Sequence, residues 1–219
     1  GSAMIEITNN SLTQNNKKEK IVFTGDLGNS PSLLLKDTEY ITDANYIVME
    51  SVYGDRNHES KDERRKKLKQ IIKDTIDNKG ILIIPAFSLE RTQMILYEMN
   101  SFFEDKELPQ IPVFLDSPLA EKITKIYESH ANYLKESVQN EIALGDNVFR
   151  FPRLKATVMS YESEKIDLVQ NPKIIIAGSG MSSGGRVVQH EKDHVSDSKA
   201  TILLIGYQAV GTLGRQLED

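Results

Sequence analysis

Apolar positions in this chain change period several times, and each change marks an element. Residues 4–8 (Met-Ile-Glu-Ile-Thr) alternate with the two-residue period of a half-buried strand, and Lys20-Ile-Val-Phe-Thr-Gly25 predicts a second strand. Residues 9–19 between them are rich in Asn, Gln and Lys, which reads as a solvated turn. The start therefore predicts a hairpin with a long polar loop. Tyr46-Ile-Val-Met-Glu50 predicts a third strand that ends on a charge.

Beyond residue 50 strands and helices alternate. Ser60–Asn78 is highly charged but carries Leu68, Ile71, Ile72, Thr75 and Ile76 at helical spacing, and Gly80 ends it. Ile81-Leu-Ile-Ile-Pro85 is fully apolar, the signature of a strand covered on both faces. A helix is predicted over Ser88–Glu104, with Ser88 as N-cap and Arg91 at its third position. A strand over Pro112–Asp116 and a helix over Ser117–Tyr133 follow, then strands over 156–160, 173–177 and 201–206. A glycine-rich loop and a helix through Gln189 fill the interval before the last strand. Strands separated by helices of this length imply an α/β fold, a mainly parallel sheet flanked by helices with right-handed crossovers.

Composition narrows the chemistry. The 219 residues are 39% hydrophobic, enough to bury a core. No apolar run is long enough to span a membrane, and no signal-like segment opens the chain, so a soluble cytoplasmic protein is expected. Cysteine is absent, which excludes disulfides, thiolate ligands and a cysteine nucleophile; any metal must use the four His or the carboxylates. The net charge of -5 is the wrong sign for a broad nucleic-acid footprint and confines such binding to a local groove.

In open parallel sheets ligands sit beyond the carboxyl ends of the strands. Several predicted strands here end in polar or glycine-rich residues: Gly25-Asp26, Glu50-Ser51, Pro85-Ala-Phe-Ser88, Asp116-Ser117, Gly178-Ser-Gly180 and Gly206-Tyr-Gln208. Asp26 suits either a metal-bridging carboxylate or a turn residue capping amides. Glu50 suits either proton transfer beside a metal or a salt bridge with Arg56. Gly178-Ser-Gly-Met-Ser-Ser-Gly-Gly-Arg186 offers amides and hydroxyls to a phosphate at a strand-to-helix turn, though tight turns also need glycine. It has neither Rossmann nor P-loop spacing. His190-Glu-Lys-Asp-His194 matches the zinc-protease helix, but charged Lys192 and Asp193 between the histidines read as the end of a surface helix. The basic run Arg64-Arg-Lys-Lys67 reads as a solvated helix face beside Asp62 and Glu63.

Seven segments occur in a telling order: Phe23-Thr-Gly-Asp-Leu-Gly28, Met49-Glu-Ser-Val-Tyr-Gly-Asp-Arg56, Ile84-Pro-Ala-Phe-Ser-Leu-Glu-Arg-Thr-Gln93, Leu115-Asp-Ser-Pro-Leu-Ala120, Ala177-Gly-Ser-Gly-Met181, Gly184-Gly-Arg186 and Gly206-Tyr-Gln-Ala-Val-Gly-Thr-Leu-Gly214. Together they resemble the β-CASP branch of the metallo-β-lactamase fold, over nearly the whole chain. The resemblance implies partial metallo-β-lactamase core strands over 1–50 and a β-CASP domain over 51–219. It implies an RNA-processing, zinc-dependent phosphodiester hydrolase, with Asp26 bridging two zinc ions and Glu50 as the first acidic β-CASP motif close to the metal. Arg91, Ser117, Ser179, Arg186 and Thr212 are then expected to contact RNA phosphates in the cleft between cap and core. The family's H-x-H-x-D-H ligands are not in this sequence, Val52 stands where the family usually has Thr, and Gln189 where it often has His. The chain alone is accordingly expected to bind no zinc tightly and to cut nothing. Two other functions stay open beside this one, a non-catalytic RNA- or nucleotide-binding module and a DNA-processing relative, as does a homodimer of the intact protein.

Overall fold

The structure is a computed structural model that describes residues 3–9, 18–28 and 30–219. Most of the polar connection expected over 9–19 lies outside the described residues. The chain divides into two compact units, Gly1–Glu59 with Tyr133–Glu136, and Ser60–Asn132 with Ser137–Asp219. Residues 51–59, assigned from sequence to the second domain, go with the smaller unit in this division.

The smaller unit is built on three strands, β1 (Ile5–Asn9), β2 (Glu19–Phe23) and β3 (Tyr46–Val48), in that order. β1 runs antiparallel to β2 with Ile5 opposite Phe23, as the hairpin pattern requires. β3 lies parallel to β2 with Val48 opposite Phe23, and the Thr24 amide extends this ladder by donating to the Val48 carbonyl at 3.0 Å. Leu34 and Leu134 are buried here, and the Lys135 amide donates to the Leu34 carbonyl at 2.7 Å.

The larger unit opens with α1 (Lys61–Asp77). A capping box starts it: the Glu63 amide donates to Ser60 Oγ at 3.2 Å, and the Ser60 amide donates to Glu63 Oε2 at 2.9 Å. The chain continues through β4 (Ile81–Pro85), α2 (Arg91–Glu104), β5 (Val113–Asp116), α3 (Pro118–Ser129), α4 (Glu136–Ala143), β6 (Leu154–Ala156) and α5 (Ser160–Glu164). It ends with β7 (Lys173–Ala177), α6 (Arg186–His194), β8 (Ala200–Ile202) and α7 (Leu213–Glu218). The five strands form one all-parallel sheet, order β6-β5-β7-β4-β8. β4 and β7 are buried at every position, which is why their sequences are apolar apart from Lys173, whose Nζ donates to the Ile166 and Val169 carbonyls. On one face Ile81, Ile83, Phe114 and Ile175 pack with Ile166 and Val187 from the covering segments. Among the described residues no helix is long and apolar enough to cross a membrane.

Several local expectations change. α2 begins at Arg91 rather than Ser88, because Glu90 adopts a left-handed φ of 64° and breaks the run. The helix after β5 stops at Ser129, with a 3-10 turn over Ala131–Tyr133. The strand expected over 156–160 lies at Leu154–Ala156, and Ser160 instead opens α5. α4 is an element that the apolar spacing did not announce.

Candidate functional site

Asp26 and Glu50 fall in the smaller unit, and Arg91, Ser117, Ser179, Arg186 and Thr212 in the larger. Asp26 and Glu50 follow the paired ends of β2 and β3, so adjacent parallel strands deliver both carboxylates to the same edge of that sheet. Both are exposed. Glu50 Oε2 accepts from the Val52 amide at 2.9 Å, and Arg56 pairs with Asp55 at 2.9 Å. Among the described residues no group of three or more His, Cys, Asp or Glu could hold a metal ion, whereas a structural or catalytic zinc needs three or four protein ligands. Two carboxylates do not make such a centre.

In the larger unit the carboxyl ends of β4, β5 and β7 converge. Ser88 Oγ and Ser117 Oγ lie 3.4 Å apart, and a Cβ on Gly178 would sit 3.9 Å from each. Two hydroxyls thus stand beside the start of the glycine turn. Ser117 also caps α3, its hydroxyl accepting from the Ala120 amide at 3.2 Å. The turn folds on itself: the Ser179 amide donates to the Gly184 carbonyl at 3.0 Å, and Ser179 Oγ accepts from the Ser183 amide at 3.0 Å. Gly180 is required by close packing, since a Cβ there would lie 2.6 Å from the Phe87 ring. A depression of about 480 Å³ opens between Ser182–Gly185 and Gly211–Leu213, lined by hydroxyls and glycine backbone. Thr212 lies on its far wall and caps α7, accepting from the Arg215 amide at 3.2 Å. Gln208 ties the glycine turn to the loop after β8, donating to the carbonyls of Gly180 at 3.2 Å and Gly206 at 2.9 Å.

Arg91 is the exposed first residue of α2. Arg186, expected to contact a phosphate, has its guanidinium on protein acceptors. Its Nη1 donates to Asp116 Oδ1 at 2.7 Å and to the Thr157 carbonyl at 2.8 Å, and its Nη2 to the Val158 carbonyl at 2.9 Å. The side chain is partly exposed and clamps α6 to the end of β5 and to the stretch after β6.

The group at the centre of that clamp is one the sequence does not single out. The Asp116 side chain is 0% exposed. Oδ1 accepts from Arg186 and from Thr157 Oγ1 at 2.6 Å; Oδ2 accepts from Ser163 Oγ at 2.5 Å and His190 Nε2 at 2.7 Å. Burial alone would push this carboxyl up, but the hydrogen bonds from His190, Ser163, Thr157 and Arg186 outweigh it and hold the carboxyl at about 2. Only the strand-end Asp116-Ser117 pair hinted at this centre, because the donors come from segments far away in sequence. The surface-helix reading of His190–His194 also changes. His190 and Glu191 are 4% and 3% exposed, and the two histidines face different carboxylates, His190 on Asp116 and His194 on Asp167 at 3.1 Å. They do not converge on a metal. Within the basic run of α1, Lys66 and Lys67 are exposed as a solvated face requires, whereas Arg65 pairs with Glu98, bonds Ser101 Oγ at 2.9 Å and lies over the Phe102 ring.

Comparison with known proteins places these features in context. Residues 92–217 match the family model described as the Beta-Casp domain. The chain is 34% identical to Ribonuclease TTHA0252 of Thermus thermophilus over 197 residues, which is 90% of this chain and 45% of that protein. It is 34% identical to an RNase J-like protein of Methanocaldococcus jannaschii, covering 92% of this chain and 46% of that protein. It is 31% identical to Transcription termination factor FttA of Methanosarcina mazei, covering 90% of this chain and 32% of that protein. The chain thus spans from 32% to 46% of the length of these relatives.

Proposed function

The chain belongs to the Beta-Casp family of the metallo-β-lactamase fold, and on that premise we propose that it is the RNA-binding part of a metal-dependent ribonuclease. The observation that carries the reading is the meeting of Ser88, Ser117 and the Gly178 turn at the carboxyl edge of the parallel sheet. Hydroxyls and backbone amides there suit a phosphodiester backbone without requiring a basic surface, which reconciles RNA with a net charge of -5. Arg91 supplies a cation, Ser179 belongs to the glycine turn, and Thr212 lines the depression beside that turn. Names of the relatives favour RNA: one is a ribonuclease and another is RNase J-like.

Zinc is the metal this reading expects, with Asp26 and Glu50 among the groups around it. Those two carboxylates fall short of a zinc site, so a protein of the relatives' full length has to bring further ligands. The 219-residue chain is therefore expected to hold RNA and leave it uncut. The test is competition between single-stranded RNA and DNA of one sequence for the purified chain, with zinc content measured on the same sample. Preferential RNA binding without stoichiometric zinc is the expected result. Equal or stronger DNA binding would move the chain to the DNA-processing reading. Stoichiometric zinc with cleavage would overturn the division of labour.

A further inference from the structure

Asp116 touches no solvent and has no acceptor capacity left. A carboxylate offers about four lone-pair sites, and donors from Thr157, Ser163, Arg186 and His190 fill them, two on each oxygen. It therefore binds neither metal nor substrate. Its donors have a pattern. Arg186 and His190 lie one turn apart on α6, while Thr157 and Ser163 belong to the end of β6 and to α5. One side chain at the end of β5 thus fixes the beginning of α6 against two other segments.

That beginning is also where the glycine turn ends. The turn leaves β7 after Ala177, which is held in register opposite Asp116 itself. It re-enters regular structure at Arg186, and the Val187 amide donates back to the Gly178 carbonyl at 3.2 Å. Both ends of the turn are consequently referred to one residue, by backbone pairing at the start and by the carboxylate at the finish. Next in sequence is Ser117, whose hydroxyl stands beside Gly178.

We propose that Asp116 is a positioning residue for the RNA site: its buried carboxylate, acting through Arg186 and His190, holds the Gly178–Gly185 turn and Ser117 in the geometry that receives a phosphate. The proposal rests on the reading of this edge as an RNA-binding site. It assigns Arg186 to the fold rather than to the ligand.

Charge makes the test sharp. Asp116 is an anion near a site for anions, so neutralising it would tighten RNA binding if electrostatics were its only influence. Positioning predicts the reverse. Asp116→Asn keeps the size but turns one oxygen into a donor, which opposes the donors of either Arg186 and Thr157 or Ser163 and His190. The experiment measures the affinity of the whole chain for a labelled oligouridylate over a range of salt, together with hydrogen exchange of amides 178–187. Asp116→Asn is expected to weaken binding about tenfold, to leave the salt slope unchanged and to speed exchange in the turn. Unchanged or tighter binding would overturn the proposal. Should Asp116→Asn not fold, Ser163→Ala and Thr157→Val each remove one donor and keep the charge; both are expected to weaken binding by about twofold to threefold, and wild-type affinity in both would overturn it. A wild-type chain that ignores oligouridylate would defeat the RNA reading, while exchange in 178–187 would still judge the positioning: rates equal to wild type in the variants would defeat that as well.

Discussion

Gly185 rests on the carbonyl of Gly178: a Cβ added at Gly185 would lie 2.3 Å from that oxygen. The contact closes the turn at the sheet's carboxyl edge, and Gly185 adopts a left-handed φ of 77° to make it. Gly185→Ala meets both a backbone clash and a strained conformation, with a cost of about 1–2 kcal/mol from the conformation alone. It is expected to lower the melting temperature and abolish RNA binding together. Gly206→Ala is the control, since nothing lies within 4 Å of a Cβ there. Thermal melts and an RNA titration of the two variants check this.

Arg150 ties α3 to the segment before β6. It bonds both oxygens of Glu121, at 2.9 and 3.2 Å, and Glu128 at 2.6 Å. Glu121 is nearly buried, and burial would push its carboxyl up were it not for Arg150 and Lys125, which hold it below its ordinary value. Arg150→Met leaves that carboxylate to Lys125 alone, with an expected loss of about 2 kcal/mol. Adding Glu121→Gln is expected to restore part of it. Denaturant unfolding of the single and double variants reads the coupling.

Glu191 gives the fold a pH slope. Its carboxyl is 3% exposed, and burial pushes it up despite the hydrogen bond donated by Ser182 Oγ at 2.5 Å. A raised value means that the native state keeps this proton longer than the unfolded chain. Stability from this group is therefore complete below its ordinary value of 4.5 and falls as pH rises through the raised one. Glu191→Gln removes the slope. Melting temperatures measured from pH 4 to pH 8 are expected to favour the variant increasingly toward the alkaline end. Parallel curves for variant and wild type would contradict the assignment.

The sheet was legible in the sequence because its central strands are extreme. Ile81–Pro85 and Lys173–Ala177 are apolar at nearly every position and are buried at every position, so period and burial agree. Edges were harder. β6 and β8 have three residues each and half-buried patterns, and the sequence placed the first too late and extended the second too far. The start of α2 was misplaced because Ser88 has the chemistry of an N-cap, yet its hydroxyl faces Ser117 while the helix begins after the left-handed Glu90. Strand-end polar residues pointed to Ser117 and the glycine turn, which the fold brings together. The Asp116 centre was out of reach: Thr157, Ser163 and His190 have no shared spacing and meet only through the sheet order that sets β6 and β7 on either side of β5. Arg186 was read as a phosphate contact for the same reason, since its acceptors come from two other segments, Asp116 at the end of β5 and Thr157–Val158 after β6.

Arg91 and Arg186 are both the first residue of a helix at the carboxyl side of the sheet, and they are expected to behave differently. Arg91 is exposed, so a phosphate it contacts releases counterions when bound. Arg91→Ala is expected to weaken RNA binding and to lower the slope of log affinity against log salt by about 1. Arg186 already has its charge paired with Asp116 and its Nη atoms on the Thr157 and Val158 carbonyls. Its loss changes the shape of the site and not the number of phosphates neutralised. Arg186→Ala is expected to weaken binding with the slope intact and to destabilise the fold by about 3 kcal/mol, the cost of stranding a buried partner. Arg186→Lys is expected to repair little, because one ammonium cannot reach three acceptors arranged for a planar fork. Salt titrations of the three variants decide the matter: equal slope losses for Arg91→Ala and Arg186→Ala would return Arg186 to the RNA surface.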